Sequence, residues 1–190
     1  MMKRLLLIFA ITLSFQSLTN AEDIRDFELE GMSIGKSVFD YFDKKEINSK
    51  EKLFFPNSKK YYRIAFKLQN NSKYDFIAFY VLNNDKDLII YGLEGMKYMN
   101  FSPCKEKQKK IAYNLKDVFS DFKENSYDGL HDLDNESPFY SIDFDFTNGS
   151  TSRIICTDYK KKLEEKGYND NLAVYLFESK FNTWANTEAY

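Results

Sequence analysis

The side chains able to do chemistry are few and widely spaced. His131 is the sole histidine and sits in Asp128-Gly129-Leu130-His131-Asp132-Leu133-Asp134-Asn135-Glu136. Asp132, Asp134 and Glu136 there hold the first, third and fifth places of a calcium loop, and Asp143 falls on the twelfth. The sixth place is Ser137, where such loops use glycine for a sharp turn, and the residues beyond it alternate as a strand. The run reads as an acidic surface loop. Gly31-Met32-Ser33-Ile34-Gly35-Lys36-Ser37 is like a phosphate-cradling loop but has three residues between its glycines, one short of what a ring of N–H groups around a phosphate needs. It reads as a turn feeding a capped helix. With no Gly-x-Ser-x-Gly elbow either, the expectation is no catalytic set, no cofactor and no metal.

Cys104 and Cys156 are the only cysteines. With one histidine they are too few for a structural zinc site, and in an exported chain two cysteines pair by default. Lys105, Lys107, Lys109 and Lys110 follow Cys104, and Lys160, Lys161 and Lys162 follow Cys156. A disulfide would gather both groups around one rim, beside a helix start at Ser102 that also favours anions. Glu106, Glu164 and Glu165 are interspersed and offset part of that charge. The rim is the expected place for an anionic envelope component or an acidic protein partner.

Export is expected from the first residues. Met1-Met2-Lys3-Arg4 is a short basic start, Leu5 to Phe15 is apolar, and Gln16 to Ala21 is polar and ends in small residues. That pattern is a signal peptide over 1–21, leaving one domain over 22–190 and a periplasmic or secreted location. The apolar run is too short to span a bilayer, and no later stretch is long enough, so no stable membrane insertion is expected. Across 190 residues the formal net charge is -2, which argues against a nucleic-acid partner. Aromatics reach 17% with 18 Phe and 14 Tyr, so the chain is too apolar to stay disordered. Most of these rings recur at strand or helix spacing and read as core. Tyr61, Tyr98 and Tyr127 are the expected exposed ones.

The elements that must position these groups follow from periodicity. Ser33 to Asp43 reads as a helix, and Lys44 to Lys60 as an irregular connector or a second short helix. Tyr62, Ile64, Phe66 and Leu68 alternate as a strand, and Tyr74–Leu82 and Leu88–Leu93 complete a three-stranded meander. Ser102-Pro103 opens a helix carrying Ile111, Leu115, Val118, Phe119 and Phe122. Lys123 to Ser137 reads as a polar loop. Tyr140 to Phe146 and Thr151 to Thr157 form a hairpin about Asn148-Gly149, then a short helix runs from Asp158 to Gly167. Leu172 to Glu178 is a sixth strand, and Ser179 opens a last helix with Phe181 and Trp184. A two-residue turn at Asn148-Gly149 would set Cys156 opposite Ser141, on the polar side with Asp143 and Asp145, unless a bulge shifts the register. The class is α+β: about six antiparallel strands with three to four helices, arranged as two tandem αβββ units.

The start Asp26-Phe27-Glu28-Leu29-Glu30-Gly31-Met32-Ser33-Ile34-Gly35, with Ser37 and Asp40-Tyr41-Phe42, resembles a family of small exported proteins from AT-rich marine bacteria. The similarity extends to Tyr168-Asn169-Asp170-Asn171-Leu172 and Trp184. It implies export and no catalytic residue. The functional expectation is therefore a binding or interaction module, with a small extracytoplasmic hydrolase as the alternative.

Overall fold

The computed structural model describes residues 23–190; the expected signal peptide lies outside them. Eight antiparallel strands form one sheet in the order β1-β2-β3-β4-β8-β7-β6-β5. They are β1 (Leu53–Phe54), β2 (Tyr61–Lys67), β3 (Phe76–Leu82), β4 (Ile90–Tyr98), β5 (Phe122–Leu130), β6 (Pro138–Phe146), β7 (Thr151–Thr157) and β8 (Asn171–Phe177). The helices are α1 (Lys44–Asn48), α2 (Phe101–Val118), α3 (Lys161–Glu164) and α4 (Ser179–Thr187). The α+β class holds, but the strand number is eight rather than about six. Each half of the chain contributes four strands, the first with α1 and the second with α2, α3 and α4, and the halves meet where β4 pairs with β8. Both additional strands are edge strands. β1 is two residues long, too short for an alternation to show. β5 occupies most of the segment read as a polar loop, because an edge strand with a largely solvated pattern carries little apolar signal.

Alternation splits the sheet into two faces. The inner face carries Ile64, Phe66, Ile77, Phe79, Leu93 and Val174, all at most 1% exposed. α2 lies across β7 and β8 on this side, burying Cys104, Gln108, Ala112 and Leu115 at helical spacing. Its cap is Asn100 rather than Ser102. Val118 points to solvent, and Phe122 belongs to β5. The Gln108 amide donates to the Tyr140 and Ile154 carbonyl oxygens at 2.9 and 2.6 Å, tying helix to sheet. The expected helix over 33–43 is instead a three-residue 3-10 turn, Val38–Asp40, with Ser37 as a capping box, followed by α1. Gly31 and Gly35 both have positive φ, so the phosphate-loop-like run serves as turns around that cap.

The hairpin register resolves the position of the disulfide. The Gly149 N–H donates to Phe146 and the Phe146 N–H to Ser150, so three residues turn the chain, and Gly149 takes a left-handed φ of 85°. This is a three-residue loop with a glycine bulge, not the two-residue turn expected. The extra residue moves Cys156 opposite Tyr140 and puts Ile155 opposite Ser141. Cys156 thereby faces α2 and pairs with Cys104 at a Cα–Cα distance of 5.8 Å. None of the described helices is long and apolar enough to cross a membrane.

On the outer face, α4 covers only one end of the sheet. Its Phe181 and Trp184 sit among Phe55, Tyr61, Tyr80 and Phe177 with ring centroids 4.7 to 6.1 Å apart, a range that includes edge-on pairs. Tyr61, expected at the surface, is buried there.

Candidate functional site

The remainder of the outer face is a cleft of about 910 Å³. Its floor follows from strand register. One cross-strand row runs Glu94, Tyr175, Arg153, Asp143 and Asn125; the next runs Met96, Ala173, Ile155, Ser141 and Tyr127. The second row is low on either side of Ile155, where Ala173 and Ser141 are small, and high at its ends. That profile makes the depression. The walls are the β5–β6 loop with His131 and the β7–β8 connection with Tyr159 and Tyr168. Ring centroids of 5.4 Å for His131–Tyr159 and 5.3 Å for Tyr159–Tyr168 join these into one aromatic wall.

The buried charges on the floor are paired. Glu94, 5% exposed, accepts from Arg63 Nε at 2.7 Å and Nη2 at 3.0 Å, and from the Tyr80 hydroxyl at 2.8 Å. The fork-to-fork geometry and the third donor satisfy both oxygens. Asp143, also buried, accepts from Arg153 Nε at 2.7 Å and from the Ser141 hydroxyl. Arg153 differs from Arg63 in using only Nε. Among the described residues its terminal nitrogens have no partner, and the side chain is 42% exposed in the cleft. Asp143 therefore aims Arg153 from behind. Burial, reinforced by Glu94, pushes the Tyr175 hydroxyl well above the usual phenol range, so it stays a donor at any physiological pH.

No protein-family model, curated protein or solved structure matches this chain. What the cleft does is therefore argued from its own residues.

The groups singled out in the sequence fall differently. Asp132, Asp134, Glu136 and Asp143 do not form one ligand set: the Asp134 carboxylate accepts from the Glu136 and Ser137 N–H groups and the Ser137 hydroxyl, while Asp143 is taken by Arg153. Burial works to raise the Asp134 carboxyl, but Ser137 and the two N–H groups outweigh it and hold it down at about 2. The sign follows: the ionised loop is stabilised above the ordinary carboxylate value, and that support disappears as pH falls from about 4 through 2. Amide shifts of Glu136 and Ser137 should collapse in an acid titration with a midpoint near 2; a midpoint near 4 would show the cap is not formed.

The lysines spread over different neighbours. Lys105 lies over the Tyr140 ring, with its ammonium lowered by burial and by Lys109. Lys107 is within electrostatic reach of Asp75, Lys160 pairs with Asp158 at 2.6 Å and Lys161 with Glu165 at 3.8 Å. Lys109, Lys110 and Lys162 are exposed. The lysines of α2 belong to the layer opposite the cleft. Tyr98 and Tyr127 are exposed at the cleft margin. Sequence reasoning missed Glu94, Arg153 and Tyr175; the available signal was a charged residue at alternate positions of otherwise apolar strands.

Proposed function

We propose that this chain is an exported binding module whose ligand occupies the outer-face cleft. The observation that carries the reading is Arg153: a guanidinium aimed by a buried carboxylate, with its terminal nitrogens unused, in a cleft whose volume is in the range of small-molecule sites. Arg63, by contrast, grips Glu94 through Nε and one terminal nitrogen together. Export is supported by the disulfide, which persists in oxidising compartments, and by the basic-apolar-polar start of the sequence.

The hydrolase alternative gains little from the floor. Glu94 and Asp143 are separated by β8 and β7, which puts their backbones about 14 Å apart at a strand spacing near 4.8 Å. Both carboxylates are moreover taken up by arginine and hydroxyl donors rather than turned toward one bound substrate. A second reading places an acidic protein or anionic envelope component on the lysines near the disulfide; the unpaired, exposed Lys109 and Lys110 favour it.

The test of the cleft uses Ile155→Trp, which fills the floor from a half-buried position. A panel of small polar ligands screened by calorimetry should yield saturable binders that lose at least about tenfold in affinity to this variant, with Tm nearly unchanged. Binders that ignore Ile155→Trp, or a panel with no binder, would contradict the cleft reading.

A further inference from the structure

Resting on the cleft as the binding site, we propose that its ligand is a small zwitterion bearing a ring: an amino acid or short peptide with a carboxylate on Arg153 and an ammonium on Asp145. On the floor, Glu94 and Asp143 are saturated by arginine, hydroxyl and guanidinium donors. What remains free there is donor capacity: the Arg153 terminal nitrogens and the Tyr175 hydroxyl, neighbours in one cross-strand row. Two planar N–H groups beside an O–H suit a carboxylate.

A plain anion does not fit the rest of the cleft. Asp128, Asp132 and Asp145 also line it, against His131 as the one further titratable base among the lining residues described. Asp145 is exposed, sits two residues along β6 from Asp143, and receives only neutral donors, Thr151 Oγ1 at 3.0 Å and Asn125 Nδ2 at 2.8 Å. Lys123 stands opposite it on β5 without an ion pair being formed, so its charge is only partly offset, and together with Asp128 and Asp132 it disfavours a ligand carrying a negative group alone. A ligand with both charges is attracted at both points, and the one-row offset between Arg153 and Asp145 places the two charges within reach of one small molecule. Tyr127, one row from Arg153 on the side away from Asp145, offers stacking surface to a third, flat group.

The probes are phenylalanine, its N-acetyl and amide derivatives, the N-acetyl amide, and the tripeptide Phe-Gly-Phe, each titrated calorimetrically into the full chain. Tighter binding of the free amino acid assigns an amino acid ligand, and tighter binding of the tripeptide a peptide. Blocking either charge should cost at least about tenfold, since charge-assisted hydrogen bonds are the strong ones. Arg153→Gln alone strands the buried Asp143, so the decisive variant is the double Asp143→Asn/Arg153→Gln, which leaves no buried charge without its partner and should bind phenylalanine and its amide equally. Asp145→Asn should likewise erase the difference between phenylalanine and its N-acetyl form. Equal affinity for the N-acetyl amide and the zwitterion, with binding still lost in Ile155→Trp, overturns the zwitterion and leaves the cleft standing. Zwitterion binding that survives Ile155→Trp overturns both. No binding of any probe at millimolar concentration overturns the zwitterion.

Discussion

Glu94→Ala is expected to destabilise the protein by about 3–5 kcal/mol, the range for breaking a buried ion pair on one side only. Glu94 is nearly covered, and its removal strands two donors at once: the Arg63 guanidinium, whose side chain is 24% exposed, and the buried Tyr80 hydroxyl. The loss comes from the partners left behind rather than from the pair itself. Replacing both members, Arg63→Met with Glu94→Leu, in a Tyr80→Phe background that removes the second stranded donor, should therefore recover most of the stability, because apolar groups of similar size need no partners. Urea denaturation of the single and combined variants measures this. A single variant within about 1 kcal/mol of wild type would mean that water reaches Arg63 freely and that the floor of the cleft is wetter than its geometry requires.

Removing the disulfide is expected to cost about as much by a different route. The bridge spans a sequence separation of 52 residues, and closing a loop of that size restricts the unfolded chain by about 4 kcal/mol in the chain-entropy treatment. In the folded state Cys104 and Cys156 are both fully buried between α2 and β7, so paired alanines also leave small cavities. Cys104→Ala/Cys156→Ala should lower Tm by roughly 8–16 °C for a chain of this size, while the unreduced wild type shows no modifiable thiol by mass spectrometry. A reduced protein as stable as the oxidised one would contradict the account.

The contrast between the disulfide and the cleft shows what the sequence carries. Two cysteines admit one pairing, and that pairing is present. Its orientation needed the bulge at Gly149, which no alternation pattern distinguishes from a two-residue turn. β2, β3, β6, β7 and β8 were legible because one or both of their faces are apolar at period two. β5 was not, because its outer edge and most of its side chains are solvated. The short N-terminal helix expected at Ser33 gave way to turns because Gly35 takes a left-handed φ and the Gly35 N–H donates to Ile90, pinning that segment to the sheet. The cleft was illegible for a topological reason. Asp143 and Arg153 meet across the β6–β7 hairpin and Tyr175 through β7–β8, but Glu94 joins them only when β4 pairs with β8 across the join between the two halves. Nothing local signals that pairing.

The most direct test of the cleft is an amide-shift titration of the isotopically labelled protein with the phenylalanine and tripeptide probes. Saturable shifts at Tyr127, Arg153, Tyr159 and Tyr175, with Lys105, Lys107, Lys109 and Lys110 unmoved, are the predicted result. Shifts confined to the lysines of α2, or no saturable shift at any residue of the floor, would contradict it.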